Sequence, residues 1–220
     1  MRMKTVVKLG TILSVLLFVL AVGYYAFMRL DMMDRNRDVN LFSLVPSSSV
    51  GVLESNNVHA FFDDYSMLNY SDELERMQFP GLFNFLIHGL NMYAGDNAHG
   101  LSYQMNQFVV SFHQPVTPHN QVVYLRLGMA DEQLLSDMLR EYVSGNFLPK
   151  EEEYRGKKIL IYPLSHDEFL ATYTEDGFVV LSYQKRLLEE VIDAQLDETA
   201  LGYDAVFSRA LERKKSKDFL

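Results

Sequence analysis

The chain has 220 residues and a mass of 25.4 kDa, which allows one large domain or two small ones. Hydrophobic residues make up 48% of it and charged residues 22%, with 6 prolines and 12 glycines, so the composition excludes disorder or a fibrous repeat as its main theme. The absence of cysteine excludes disulfides, thiolate metal sites and a cysteine nucleophile.

An uncharged apolar segment covers residues 9–28. As a helix rising 1.5 Å per residue it would be about 30 Å long, the thickness of the hydrocarbon core of a bilayer. We therefore predict one transmembrane helix that runs from Leu9 through Phe18 to Met28. Near its outer end Tyr24 and Tyr25 are expected in the headgroup layer, which favours amphipathic rings.

The charges that flank this segment predict its orientation. Arg2, Lys4 and Lys8 make residues 1–8 a basic region, whereas the charges just after residue 28 balance. The positive-inside bias then places the N-terminus in the cytoplasm and residues 29–220 on the other side of the membrane, as in a single-pass membrane protein.

Two other interpretations of the segment remain. A cleaved signal peptide would use the apolar run 9–20 and the small residues Ala21 and Gly23. The apolar residues 24–28 continue past that point and favour an uncleaved anchor, but whether cleavage occurs is left open. A buried core helix is the other interpretation, and hydrophobicity on all sides of the segment argues against it.

The charge balance bears on the partners of the remaining chain. The net charge of the whole chain is −9 and residues 1–8 carry three cations without an acid, so residues 29–220 carry −12. Such a surface disfavours a nucleic acid as a partner. The basic run of Arg213, Lys214, Lys215 and Lys217 is interpreted as a solvated helix end rather than as a patch for lipid or nucleic acid.

After the anchor, residues 29–48 are polar and end in Pro46-Ser47-Ser48-Ser49, so they are predicted to be a tether. A folded domain is predicted over 49–220, beginning with a strand at 50–54. Helices are predicted between residues 56 and 93, with an apolar stripe that includes Leu82.

The second half is richer in predicted strands. Two units of hairpin followed by helix are predicted at 107–143 and 168–197, and duplication or chance explains them equally well. Together with a strand at 157–162, they predict an α+β fold with two layers, a largely antiparallel sheet with helices packed on one face. The other face should meet water or a partner through its alternating polar residues, which are Ser111, His113, Tyr124, Arg126, Thr172 and Ser182.

The motifs typical of catalysis and phosphate binding are absent, including a glycine-rich phosphate loop, a nucleophile elbow and a helical His-Glu-x-x-His. Two polar groups are weak candidates. His113 and His119 lie at the ends of one hairpin loop and could share a metal ion, although two solvated histidines are the simpler interpretation. His166-Asp167-Glu168 could be an acid–base cluster or a turn. The acidic run 151–153 is interpreted as a solvated loop.

Beside the N-terminal span, four segments form a recognisable pattern, namely Val45-Pro46-Ser47, the strand 50–56, residues 154–159 and residues 176–182. Together they resemble an uncharacterised family of N-terminally membrane-anchored Gram-negative envelope proteins, a domain of unknown function. The resemblance covers roughly residues 40–210 and implies no catalytic residues. Members of the family are often longer, so the chain is expected to be a short member or to lack a C-terminal region.

From these observations we expect a membrane-anchored periplasmic protein that binds another envelope component and has no enzymatic activity. Its expected partners are the lipid bilayer, through the N-terminal helix, and another envelope protein, with no nucleic acid and no cofactor or metal. The alternative is an anchored envelope hydrolase whose site forms only in the fold. The identity of the partner and the oligomeric state are left open.

Overall fold

The computed structural model describes residues 13, 15–27, 39–56, 82, 107–117, 119–140, 148–164 and 168–213. It divides the chain into two compact units, Met1–Asp38 and Val39–Leu220. In the first unit residues 15–27 are helical, and the side chains of Phe18, Tyr24 and Tyr25 are 66–69% exposed. No helix within the described residues is both long and apolar enough to cross a membrane. Leu9 and Met28, the ends of the predicted span, lie outside the described residues.

The second unit, here called the body, contains one seven-stranded antiparallel sheet with helices, which confirms the α+β class. The strands lie in the order β1-β2-β3-β7-β6-β5-β4. They are β1 (Gly51–Ser55), β2 (Phe108–Phe112), β3 (Gln121–Arg126), β4 (Lys150–Tyr154), β5 (Lys157–Pro163), β6 (Phe169–Glu175) and β7 (Phe178–Ser182). The helices are α1 (Met129–Met138), α2 (Lys185–Leu196) and α3 (Ala205–Glu212), and Leu41–Ser43 and Leu201–Tyr203 form single 3-10 turns.

Apolar residues cover both faces of the sheet, because successive side chains of a strand point to opposite faces. On one face, the α1 face, Phe108, Val123 and Leu181 pack with Leu135 and Met138 of α1. On the other, the α2 face, the buried strand residues pack with those of α2, which include Leu187, Leu188, Val191 and Ile192. The expectation that helices pack on one face only is therefore wrong. Of the helices predicted between 56 and 93, only Leu82 is described, and it is helical and buried on the α1 face.

The two predicted hairpin–helix units are not equivalent. Their strands meet side by side in the order β2-β3-β7-β6, and β3 pairs with β7 in antiparallel fashion. The rotation that superposes one hairpin on the other has its axis perpendicular to the sheet. It therefore leaves each face of the sheet on the same side. The helix that follows the first hairpin packs on the α1 face and the helix that follows the second packs on the α2 face. The geometry thus gives no support to duplication.

Part of the predicted tether belongs to the body. Leu41, Phe42, Leu44 and Val45 are at most 5% exposed and pack in the core of the α2 face. The side chain of Asn40 caps the turn Leu41–Ser43, since its Oδ1 accepts a hydrogen bond of 3.1 Å from the backbone N–H of Phe42. The folded body therefore begins at residue 39 in this structure and not at residue 49.

The turn Leu41–Ser43 packs directly on the turn Leu201–Tyr203, and this pair is here called the double turn. Pro46 forms an isolated antiparallel bridge with Ala200, and the N–H of Leu201 donates a hydrogen bond of 2.8 Å to the carbonyl of Val45. Next to the bridge the ring of Phe42 lies edge-on to Phe207 of α3, with 5.0 Å between centroids. The double turn closes one corner of the core on the α2 face.

The acidic run 151–153, interpreted from sequence as a loop, lies in strand β4 at one edge of the sheet. Charged residues suit an edge strand, where they meet water and discourage pairing with another chain. Two of the three glutamates pair with basic residues, with Lys158 Nζ 2.9 Å from Glu151 and Lys185 Nζ 2.7 Å from Glu152. Sequence reasoning failed here because β4 lacks the apolar alternation by which strands are recognised.

The turn between β4 and β5 fixes α2 to the sheet. Arg155 Nη1 lies 2.7 Å from Asp193 Oδ1, and its Nη2 lies 2.8 Å from Asp197 Oδ1. Beside it Tyr154 Oη donates a hydrogen bond of 2.9 Å to Asp193 Oδ2. These contacts hold the pKa of the Asp197 carboxyl below its ordinary value through the hydrogen bond from Arg155.

We expect Gly156→Ala to lower the free energy of unfolding of the body by about 1 kcal/mol. Gly156 has φ +79°, which an L side chain rarely adopts, and an added Cβ would meet no atom within 4 Å. The cost is therefore one of backbone conformation. Urea unfolding followed by circular dichroism measures it, and Gly156→Asn should recover part of the loss because asparagine tolerates this conformation. Equal stability of Gly156→Ala and wild type would contradict the argument.

Candidate functional site

The two predicted histidine candidates lie in different surroundings. His113 follows β2 and is 3% exposed, whereas the side chain of His119 is 45% exposed. His119 Nε2 lies 3.8 Å from Glu168 Oε1, and its ring centroid lies 5.5 Å from that of Tyr183. Of the second predicted cluster only Glu168 is described, because His166 and Asp167 lie outside the described residues. In the described part of the chain, no three His, Asp or Glu side chains come together to hold a metal ion.

Polar residues predicted to face water are instead buried. Ser111, His113, Tyr124, Thr172 and Ser182 are all at most 3% exposed. The prediction fails because helices cover both faces of the sheet, so alternation with polar residues does not mark a solvated face here. Arg126, the sixth of the set, is partly buried, and its Nη2 donates a hydrogen bond of 2.7 Å to the carbonyl of Val39.

Three of these side chains form a hydrogen-bonded network, here called the buried triad. Ser111 Oγ lies 2.8 Å from His113 Nε2 and 3.1 Å from Tyr124 Oη. Burial, followed by the positive charge of Arg186, lowers the pKa of the His113 imidazole to about 4. Burial also raises the pKa of the Tyr124 phenol above its ordinary value. At neutral pH the triad therefore holds a neutral imidazole and a protonated phenol.

The buried triad contains a serine hydroxyl beside a possible general base, a pair that acyl-transfer enzymes use. Ser111, however, is 0% exposed and lies within β2, an interior strand of the sheet. In this arrangement no substrate reaches its Oγ. The geometry instead satisfies three polar groups that burial would otherwise leave without partners, at a cost of about 1–3 kcal/mol for each.

A small cavity of about 240 Å³ lies beside β1 and is here called the edge groove. Its lining is mainly apolar and consists of Phe42, Ser49, residues 50–52, Leu201 and Phe207. Among the described residues β1 pairs only with β2, which places β1 at the edge of the sheet opposite to β4. Val50, at the start of the groove, is 51% exposed.

The edge groove also contains a polar atom. Ser49 Oγ is buried and has no hydrogen-bond partner among the described residues. An edge strand presents backbone N–H and C=O groups that an added strand can use, and a neighbouring pocket can take one of its side chains. The groove therefore offers an extended peptide an apolar pocket and one hydroxyl, beside a strand that lies at the edge of the sheet within the described residues.

Sequence reasoning missed this groove. Phe42 lies in the predicted tether, and Leu201 and Phe207 follow the second predicted hairpin–helix unit, which ends at residue 197. The available signals were the apolar pairs Leu41-Phe42 and Leu44-Val45 within an otherwise polar stretch, together with the spacing i, i+4 of Phe207 and Leu211. No protein family matches the chain, and no curated protein or solved structure is detectably similar to it.

Proposed function

We propose that the chain is a membrane-anchored, non-catalytic interaction module of the Gram-negative cell envelope. Segment 9–28 holds it in the inner membrane with the N-terminus in the cytoplasm, and the body binds an extended apolar segment of another envelope protein in the periplasm. The edge groove is the observation that carries this proposal, because it combines an edge strand, an apolar pocket and a buried hydroxyl without a partner among the described residues. The resemblance to anchored envelope proteins is consistent with it.

The anchor is supported by the length of the uncharged segment and by the exposure of its described part. In the helix 15–27 the large apolar side chains are 50–69% exposed, so the described residues leave them uncovered, as a lipid-facing segment requires. The basic residues of segment 1–8 supply the positive-inside signal. Together they support a single span and a periplasmic body.

Charges placed in the segment test the anchor. In Leu17→Arg/Leu20→Arg each substitution adds about 3 kcal/mol to the cost of insertion, so we expect the full chain to leave the membrane pellet after an alkaline wash. The matched control is Val116→Arg/Leu148→Arg, which places the same charges at exposed positions of the body and should stay in the pellet. Retention of the first variant, or loss of wild-type protein in the wash, would contradict the anchor.

Photo-crosslinking in living cells tests the edge groove. A benzophenone side chain at Val50 should yield a discrete adduct with a second envelope protein, because this position is exposed and borders the groove. The matched control is the same probe at Glu151 on β4, the opposite edge of the sheet, which should yield no such adduct. The absence of an adduct at residue 50, or the same adduct from both edges, would contradict the proposal.

A further inference from the structure

Helix α3 has one face toward the core and one away from it. Phe207 and Leu211 pack against the core of the α2 face. The outer face contains Val206, Arg209, Ala210 and Arg213, all exposed and at the helical spacing i, i+3, i+4, i+7. The Val206 side chain is 67% exposed, and Tyr203, just before the helix, is 51% exposed.

The charge of this outer face is opposite to that of the body as a whole. Within the part of the chain that the structure describes, neither Arg209 nor Arg213 forms an ion pair, and Arg209 Nε donates a hydrogen bond of 3.0 Å to the carbonyl of Ala205. Asp204 is engaged at the other end of the helix, where its Oδ1 accepts 2.7 Å hydrogen bonds from the N–H groups of Val206 and Phe207. In sequence, three lysines follow at 214, 215 and 217, in a chain whose residues 29–220 carry −12.

We infer that the outer face of α3 binds an anionic lipid surface. Arginines extend their charged ends to phosphate headgroups while a neighbouring aromatic and an aliphatic side chain enter the boundary with the acyl chains. Charge complementarity favours this occupant, because each arginine near an anionic membrane raises binding by about fivefold. A protein partner would not require negatively charged lipid.

The contact of α3 with the first residues of the body is consistent with binding to lipid. Phe207 of α3 contacts Phe42, which lies close to the first described residue of the body. Only residues 29–38 separate the body from the predicted span, and ten residues extend to about 35 Å at most. The inference rests on the proposed function in this respect alone, since the proposed anchor would tether the body to a bilayer.

The test uses the full chain, which has no cysteine, so that a single substitution carries the only thiol-linked probe. A polarity-sensitive fluorophore is attached to Val206→Cys, and the chain is reconstituted in vesicles that contain about one third anionic lipid or none. The control is Ser136→Cys, at an exposed position of α1. We expect a blue shift and quenching by brominated acyl chains at residue 206 only, and only in anionic vesicles.

Reversal of the two charges provides the second arm. In the Val206→Cys background, Arg209→Glu/Arg213→Glu should weaken the binding of α3 to anionic vesicles, as reported by the blue shift, at least about tenfold. In the parent protein, which keeps both arginines, about 1 M salt should also weaken this binding. The inference is overturned if residue 206 gives the same signal in both kinds of vesicle, or if charge reversal leaves the signal unchanged. Flotation of the vesicles separates the two proposals. If the chain floats while residue 206 stays in water, only the lipid contact of α3 fails, and if it does not float, both fail.

Discussion

We expect the free energy of unfolding of wild-type protein, measured relative to that of His113→Gln, to fall by about 3 kcal/mol when the pH is lowered from 7 to 4. The pKa of His113 is about 4 in the folded chain and 6.5 in its ordinary state. Between these values the unfolded chain binds a proton that the folded chain does not, so stability rises with pH in this window. The stability that depends on a neutral His113 imidazole is therefore fully present above pH 6.5 and is lost as the pH falls toward 4.

Urea unfolding of the full chain in detergent, followed by circular dichroism, measures this difference at several pH values. The glutamine of the variant does not titrate, so the difference between the two proteins isolates the imidazole from the many carboxylates of the chain. Tyr124→Phe serves as a control because it removes the hydrogen bond to Ser111 but keeps the imidazole. It should cost about 1 kcal/mol at every pH. If wild type and His113→Gln lose stability in parallel, the burial argument fails.

Gly202→Ala should lower the free energy of unfolding by about 1–3 kcal/mol, because it overpacks the double turn. A Cβ at residue 202 would lie 2.7 Å from the backbone nitrogen of Ser43 and 2.8 Å from the carbonyl carbon of Phe42. Backbone atoms cannot move aside as a flexible side chain would, so the two turns must separate. Separation would also weaken the contact between Phe42 and Phe207 that lines the edge groove.

Denaturant unfolding measures the cost of Gly202→Ala, and Gly51→Ala is its matched control. At residue 51 a Cβ would meet only the side chain of Phe112 at 3.7 Å, an ordinary contact. We expect the control to remain within about 0.5 kcal/mol of wild type. Equal effects at the two glycines would show that the close approach at residue 202 does not constrain the fold.

The strands of the second half were predictable because their apolar residues are continuous and their turns are marked. Residues 178–182 follow Asp176-Gly177, a hairpin signal, and form β7 as expected. Strand β4 was not predictable in this way, since its residues 151–153 are all glutamate and its pairing depends on the neighbouring β5. Local pattern identifies a strand with a buried face, whereas an edge strand is defined by its partner.

The candidate site was less accessible from sequence than the fold. The sequence suggests a metal site or solvent for His113, but its environment is set by Ser111, two residues earlier in the chain, and by Tyr124, which is brought to Ser111 only by the pairing of β2 with β3. The edge groove joins residues near 42 and 50 to residues near 201 and 207. No pattern within one segment reports such a long-range juxtaposition, so composition and periodicity could not reveal it.

The double turn also has a consequence for synthesis of the chain. Pro46 and Ala200 are bridged although they are 154 positions apart in the sequence, so the contact has one of the longest loops to close. A ribosome finishes the apolar residues around Phe42 long before it makes the stretch near Leu201 that covers them. During that interval the emerging polypeptide exposes an apolar surface, and transiently exposed apolar surfaces bind chaperones and promote aggregation. Closure of this corner therefore marks the completion of translation up to about residue 207.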